Sequence, residues 1–298
     1  MKGTLRLTGL ADYITLGNGL LGTCAIFCLI LAVDDLNNPY DAGVRSKYIW
    51  ASMLCIFLSA IGDIIDGPVA RRYSKRKLLG GSLDIMSDCV SFCVAPALMM
   101  FIMFGRWDGS NPLWTVALAI VCCWVIAAGM LRLARFQYEE ASELPYFHGL
   151  SSPGNAMMLM SFGGLIWLQP TMGIGPELTT ANMCTGVCHA NPALDVLILP
   201  VMFISGMMMI SDRRLSKLKH GIDTKLSILQ MLCLLIGIVA NLTITSTNAT
   251  AATTDFGYAG WLFLGSALFC IYYIVKPQPP AVEADATVVE PTPPQAMA

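Results

Sequence analysis

Long apolar stretches alternate with short polar segments along most of this 298-residue chain. Eight of these stretches have about the length that a helix needs to cross a bilayer. The predicted spans are Leu16–Val33, Tyr48–Ala70, Ser82–Phe104, Leu113–Leu133, Pro153–Leu168, Pro192–Ile210, Leu226–Leu242 and Tyr258–Val275. The pattern therefore predicts an all-α integral membrane protein with about eight transmembrane helices.

The two ends of the chain differ from these spans. Residues 1–13 mix apolar and polar positions, which predicts an amphipathic segment lying at the membrane interface. Residues 277–298 are rich in proline, alanine and acidic side chains, which predicts a disordered tail.

The composition supports a membrane location. Hydrophobic residues make up 55% of the chain and charged residues 13%, and the mean hydropathy is +0.63. Soluble domains carry about 25% charged residues, so an ordinary soluble protein is excluded. The net charge is −2, and we expect no nucleic-acid partner.

Most of the 11 cysteines lie in apolar stretches, where they pack as small hydrophobes. Only Cys184 and Cys188 lie in a polar loop, and whether they form a disulfide stays open.

Basic residues are distributed unevenly between the two sides that eight spans define. Fifteen of the 18 Lys and Arg residues fall on the side of the two termini, and only Arg45, Lys47 and Arg106 fall on the other. Because Lys and Arg are enriched in cytoplasmic segments, we expect an integral protein of the cell membrane with both termini in the cytoplasm.

Four aspartates lie at the cytoplasmic ends of the second and third spans. Asp63 and Asp66 are three residues apart and Asp84 and Asp88 are four apart, so each pair shares one helix face. Each carboxylate opposes membrane insertion by about 2.5–3.5 kcal/mol, and four oppose it by about 10 kcal/mol without compensation. Carboxylate oxygens favour hard divalent cations such as Mg²⁺ or Mn²⁺. Two helices packed through these faces would hold one or two such ions at the cytoplasmic leaflet.

Glycines and arginines accompany the acids. Gly67 and Gly80 leave room for a ligand to approach the backbone, and Arg71 offers a guanidinium suited to phosphate oxygens. Arg132 and Arg135 share a face of the fourth span, where they would bind a carboxylate or phosphate of a substrate or, alternatively, lipid head groups. Acids, divalent metals and arginine at the lipid–water boundary favour chemistry on a phosphorylated lipid.

The acids, glycines and Arg71 form one continuous motif, D-x-x-D-G-x-x-A-R-x8-G-x-x-x-D-x-x-x-D, from Asp63 to Asp88. It resembles the signature of the CDP-alcohol phosphatidyltransferases. The resemblance implies a six-helix catalytic core within residues 14–222, two additional helices within 223–276, and a homodimer. It also implies two Mg²⁺ or Mn²⁺ ions. By the same resemblance the metal ligands are Asp63, Asp66, Asp84 and Asp88, of which Asp88 is also the general base, and the CDP and phosphate pocket is lined by Gly67, Arg71 and Gly80.

Neighbouring segments are similar to the phosphatidylserine synthase branch of that family. They are T-L-G-N-G-L-L-G from Thr15, D-C-V-S-F-C-V-A-P-A from Asp88, R-L-A-R-F from Arg132 and F-H-G-L-S-S-P from Phe147. The chain departs from the branch at Ile85, Cys93 and Ser151, where serine, glycine and proline are common, and none of these positions is a metal ligand.

The resemblance implies a transferase of phospholipid biosynthesis. It would move a phosphatidyl group, or the archaetidyl group of archaeal ether lipids, from a CDP-lipid to the hydroxyl of L-serine and release CMP. Arg132 and Arg135 would then hold the serine carboxylate or a phosphate. Two alternatives stay open: the same reaction with glycerol phosphate or an inositol phosphate as acceptor, and an ion-coupled transporter that uses the acids as a cation or proton relay.

Overall fold

The computed structural model describes residues 9–33, 46–73, 77–105, 111–139, 146–168, 194–216, 222–247 and 256–277. Its helices are α1 (Leu10–Ala32), α2 (Ser46–Tyr73), α3 (Lys77–Asp88), α4 (Ala95–Phe104), α5 (Pro112–Glu139), α6 (Ser152–Leu168), α7 (Ile198–Ile210), α8 (Ile222–Thr247) and α9 (Phe256–Val275). The two short strands are β1 (Tyr146–His148) and β2 (Arg214–Ser216). Each predicted span overlaps one of these helices, except that α3 and α4 together form the third. Pro192, where the sixth span was predicted to begin, lies outside the described residues.

The all-α membrane fold is confirmed. Within the described residues, five helical stretches are long and apolar enough to cross a membrane, and two shorter apolar ones accompany them. The five are Asp12–Ala32, Lys47–Asp66, Gly80–Phe104, Pro112–Phe136 and Asp223–Thr243, and the shorter ones are Asp195–Ile210 and Ala259–Val275. The loop with Cys184 and Cys188, most of the interfacial segment and the tail beyond residue 277 lie outside the described residues, so the predictions made for them stay predictions.

The first half of helix α1 is polar on its inner face and apolar on its outer face. Asp12, Thr15 and Asn18 are buried, whereas Leu16 and Leu20 are 50% and 58% exposed. This arrangement is the reverse of a soluble amphipathic helix and fits a helix whose outer face contacts lipid. The polar face of α1 packs along α2, α3 and the segment that follows α3.

A π-helical segment, Cys89–Val94, joins α3 to α4 directly after Asp88. The N–H of Ala95 bonds to the carbonyl of Val90, five residues earlier. Pro96 follows, and its missing N–H cannot continue the regular bonding to the carbonyl four residues back. The wider turn therefore absorbs a local break in the helix, and such turns occur frequently at functional sites.

An antiparallel pairing of β1 with β2 closes the aspartate end of the bundle, with Phe147 opposite Leu215. The sequence reading did not predict this ribbon. Gly149, just after β1, has φ of +69° and donates its N–H to the carbonyl of Arg213 at 2.8 Å. The N–H of Leu150 reaches the carbonyl of Met208 at 2.9 Å. The loop that precedes α6 is thereby fixed to the end of α7.

The C-terminal helices form a pair that packs on the rest of the bundle. Helix α8 contacts α9 and α2, and α9 contacts α6. Arg213, which precedes β2, donates to the carbonyls of Val275 and Lys276 at 3.3 and 3.1 Å. Because the last carbonyls of a helix lack partners within it, this contact satisfies the end of α9 and ties it to α7.

Candidate active site

Three of the four predicted acids converge where α2 meets α3. One ligand oxygen from each of Asp63, Asp66 and Asp84 lies within 4.8 Å of the other two. Oxygens bound to one Mg²⁺ at about 2.1 Å lie about 3.0 Å apart in adjacent positions and about 4.2 Å apart in opposite positions, so binding one ion would draw the three oxygens closer together. The donor set is all carboxylate, which matches a hard divalent cation.

Asp88 lies at the end of α3, one helical turn after Asp84, and is half-buried. It does not belong to the closest group of three, but it interacts electrostatically with Asp63, Asp84 and Asp66. The structure therefore places Asp88 beside the carboxylate group at the point where the π-helical segment begins. This position separates it geometrically from the three acids that converge.

Asp66 is the most buried of the four acids, at 6% exposed. Its Oδ2 accepts hydrogen bonds from Thr15 Oγ1 at 3.1 Å and from Asn18 Nδ2 at 3.3 Å. Both donors come from α1, so a third helix contributes to the carboxylate group. In the sequence, Thr15 and Asn18 stood out only as part of a segment that resembles the family, and their role as hydrogen-bond donors to Asp66 was missed. The available signal was two polar residues three positions apart within an apolar span.

The other predicted residues near the acids are partly described. Gly67 and Arg71 lie on α2 beyond Asp66, and their side-chain surroundings lie outside the described residues. Gly80 lies on α3 against α1, where an added Cβ would meet Asp12 Oδ1 at 2.8 Å. Asp12 itself accepts the N–H of Gly9 at 2.7 Å and so caps the start of α1. Gly80 therefore permits the close approach of α1 to α3.

The two predicted arginines have different surroundings on α5. Arg132 is 3% exposed, and its guanidinium lies 5.7 Å from the ring centre of Phe136. The Arg135 side chain is 32% exposed and forms an ion pair of 2.7 Å with Asp212, whose side chain is 88% exposed. Only Arg132 is therefore inside the bundle, where a guanidinium can bind an enclosed ligand.

Comparison with known proteins decides the family. The sequence profile described as CDP-alcohol phosphatidyltransferase matches residues 8–192, which include α1 to α6 and all four acids. The chain belongs to this family. CDP-alcohol phosphatidyltransferases are membrane-bound transferases, so the enzyme class and the membrane location follow from the match.

Several relatives carry the same name, CDP-diacylglycerol–serine O-phosphatidyltransferase. The protein from Saccharomyces cerevisiae is 29% identical over 188 residues, covering 58% of this chain and 62% of the relative. The one from Methanocaldococcus jannaschii is 30% identical over 161 residues, covering 54% and 63%. The one from Bacillus subtilis is 31% identical over 153 residues, covering 50% and 73%. The chain spans less than two thirds of the length of the yeast and M. jannaschii proteins.

This member of the family has an apolar cavity of about 220 Å³ at the aspartate end of the bundle. The cavity lies between α2 and α6 on one side and the added pair α8 and α9 on the other. Ile64, which follows Asp63 directly, lines the cavity and is 59% exposed. The cavity therefore opens to the lipid-facing surface beside the carboxylate group. Its other lining residues include Ala60, Met157, Gln230, Met231 and Cys270.

Proposed function

We propose that this protein transfers the lipid phosphate group of a CDP-lipid to the hydroxyl of L-serine and releases CMP. The observation that carries the proposal is the convergence of Asp63, Asp66 and Asp84 inside the segment that the family profile matches. The relatives named for serine transfer favour serine over other alcohols.

The three converging carboxylates and Asp88 are the groups that would hold Mg²⁺ or Mn²⁺, with two ions expected. Bound there, the metal would neutralise and polarise the diphosphate of the CDP-lipid. Gly67, Gly80 and Arg71 lie along the same ends of α2 and α3. We propose that these residues bind the nucleotide and its phosphates. Glycine allows a ligand to approach the backbone closely, and the forked guanidinium of arginine can donate two hydrogen bonds to phosphate oxygens.

Asp88 is the proposed general base. In the reaction the serine oxygen forms a bond to the lipid-side phosphorus, the serine proton passes to the Asp88 carboxylate, and the bond from that phosphorus to the CMP oxygen breaks. A carboxylate beside the metal-binding group, but outside its closest set, is suited to accept a proton. Asp88 directly precedes the π-helical segment, whereas Asp84 lies within the regular turns of α3.

Arg132 is the proposed partner of the serine carboxylate. It is buried on α5, which contacts both α3 and the π-helical segment that follows Asp88. A guanidinium in a site shielded from water binds a carboxylate more strongly than an exposed one does. Arg135, which pairs with the exposed Asp212, contributes less to this site.

The cavity beside Ile64 is the proposed place of one lipid chain of the CDP-lipid. A lipid whose phosphate lies at the carboxylate group can pass a chain over Ile64 into this apolar space. The catalytic core then corresponds to residues 14–222, and the helices within 223–276 complete the lipid cavity. Diacyl and ether-linked chains fit this arrangement equally.

The proposed orientation places the acids and both termini at the cytoplasmic side, because fifteen of 18 basic residues fall there. Serine and CDP are water-soluble parts of the substrates, and a cytoplasmic site gives both direct access. A homodimer is proposed from the family resemblance.

The experiment that tests the function is CMP release by the purified protein. It is given CDP-diacylglycerol and Mn²⁺ with L-serine, glycerol 3-phosphate, inositol phosphate or no acceptor. Release that depends on serine supports the proposal. Release only with another acceptor keeps the reaction and rejects serine, and no release with any acceptor, while Mn²⁺ still binds, rejects the transfer and favours ion transport.

A further inference from the structure

Asp66 is held by two side chains of α1, which carries none of the four acids. Thr15 and Asn18 are 6% and 5% exposed and donate to the same oxygen, Oδ2, at 3.1 and 3.3 Å. The orientation of the Asn18 amide follows from chemistry, since an ionised carboxylate only accepts hydrogen bonds and must face the amide nitrogen. Both hydrogen bonds from α1 therefore converge on one oxygen of Asp66.

Asn18 is enclosed by neighbouring backbone. An added Cβ at Gly62 would lie 1.9 Å from Asn18 Oδ1, so the amide occupies the space that a side chain at position 62 would need. Gly62 lies one helical turn before Asp66 on α2. The amide is thus confined between the backbone of α2 on one side and the carboxylate on the other, which restricts its rotation.

The backbone that carries both donors is itself fixed. The carbonyl of Asn18 accepts hydrogen bonds from Ser59 Oγ at 3.1 Å and Ser91 Oγ at 2.9 Å, and the carbonyl of Thr15 accepts one from Ser87 Oγ at 2.9 Å. Ser59 lies on α2, Ser87 on α3 and Ser91 in the π-helical segment. These three hydroxyls fix the position of α1 against both helices that carry the acids.

We infer that Thr15 and Asn18 are positioning residues for the divalent cation. A carboxylate oxygen has about two lone-pair sites, and the two donors fill those of Oδ2. Asp66 would then ligate a cation through Oδ1, and the donors would restrict the rotation of its carboxylate beside Asp63 and Asp84. The inference rests on the proposed function only in requiring that a divalent cation binds at these acids.

The test is the affinity of the purified full-length protein for Mn²⁺, measured from the electron paramagnetic resonance signal of free Mn²⁺ without CDP-lipid or serine. Thr15→Val removes the donor at nearly constant shape, and Thr15→Ser restores it. Loss of a group that orients a metal ligand lowers metal affinity about 10–100-fold. We expect the dissociation constant to rise at least about ten-fold in Thr15→Val and to stay within about two-fold of wild type in Thr15→Ser.

Thr23→Val is the matched control, because Thr23 Oγ1 on α1 donates to the carbonyl of Gly19 at 2.9 Å and not to Asp66. Its Mn²⁺ affinity is expected to match wild type. Unchanged affinity in a folded Thr15→Val would overturn the inference, and so would an equal loss in Thr23→Val, which would assign the effect to packing.

If Thr15→Val does not fold, Asn18→Ala provides the same comparison with Thr23→Val. Equal affinities in that pair would also overturn the inference. Mn²⁺ binding needs no substrate, so a failed serine assay leaves this test intact. In the activity assay, the half-saturating Mn²⁺ concentration should rise in Thr15→Val while the KM for serine stays constant.

Discussion

At the scale of single residues, the structure separates the four aspartates by position. Asp63, Asp66 and Asp84 converge within 4.8 Å, and Asp88 lies beside them at the end of α3. Asp88 is proposed both as a ligand and as the base, and a base must face the attacking hydroxyl. The separation therefore supports a division of roles in which Asp88, rather than the three converging acids, accepts the proton.

Asp88→Asn tests that division. The amide keeps the shape of the side chain but cannot accept the serine proton as a carboxylate does, so kcat should fall about 10²–10⁴-fold. Mn²⁺ affinity should fall less than in Asp84→Asn, which removes a charge from the converging group. Steady-state CMP release and Mn²⁺ titration check both expectations. An Asp88→Asn protein with wild-type kcat would exclude Asp88 as the base.

Arg132→Lys tests the acceptor site. Lysine keeps the charge but loses the planar fork, so the KM for serine should rise about ten-fold while the KM for CDP-lipid stays constant. Arg135→Lys is the matched control on the same helix, and an effect below about two-fold is expected because exposed ion pairs contribute little. Equal effects of the two substitutions would argue against a specific role for Arg132.

At the scale of the elements, hydrophobic length predicted helical structure in all eight stretches, including the short, glycine-containing α6. The same pattern does not report pairing between distant segments, which is why the ribbon of β1 and β2 was missed. The π-helical segment was missed for a similar reason, since its composition is that of an ordinary apolar helix and only Pro96 hints at a break. Both features lie at the aspartate end, where they position the loops and Asp88.

Gly149→Ala tests the ribbon. Gly149 has φ of +69°, and an added Cβ would lie 2.6 Å from the carbonyl oxygen of Met209. The strained backbone and this clash should lower the free energy of unfolding by about 1–3 kcal/mol. Gly265→Ala on α9 is the control, because an added Cβ there meets nothing within 4 Å. Thermal unfolding in detergent compares the two, and equal midpoints would contradict the account of Gly149.

Met231→Trp tests the lipid cavity between α2, α6, α8 and α9. The larger side chain should displace part of a lipid chain and raise the KM for long-chain CDP-lipid about ten-fold. A change of this size corresponds to the loss of about two buried methylenes at about 0.8 kcal/mol each. A short-chain CDP-lipid should be unaffected. Leu232→Trp, at a neighbouring position that is 48% exposed, is the control. If both variants behave alike, the cavity does not hold the chain.

At the scale of the whole molecule, the protein is a helical bundle in which three carboxylates and their donors from α1 meet at one end. The sequence predicted the fold class, the family and the approach of the acids on α2 and α3, because intramembrane carboxylates at fixed spacing are rare and specific. It did not predict that α1 completes the carboxylate group, since the contacts of Thr15 and Asn18 with Asp66 join residues about 50 positions apart. Nor did it distinguish Arg132 from Arg135, whose difference in burial arises only from packing.

The most direct test of the whole account is the incorporation of radiolabelled L-serine into extractable lipid by the purified protein. The reaction contains CDP-diacylglycerol and Mn²⁺, with wild type and Asp88→Asn compared side by side. The account predicts labelled lipid in an amount equal to the CMP released, with loss of both in Asp88→Asn and in the presence of a metal chelator. CMP release without labelled lipid, or labelling that persists in Asp88→Asn, would contradict it.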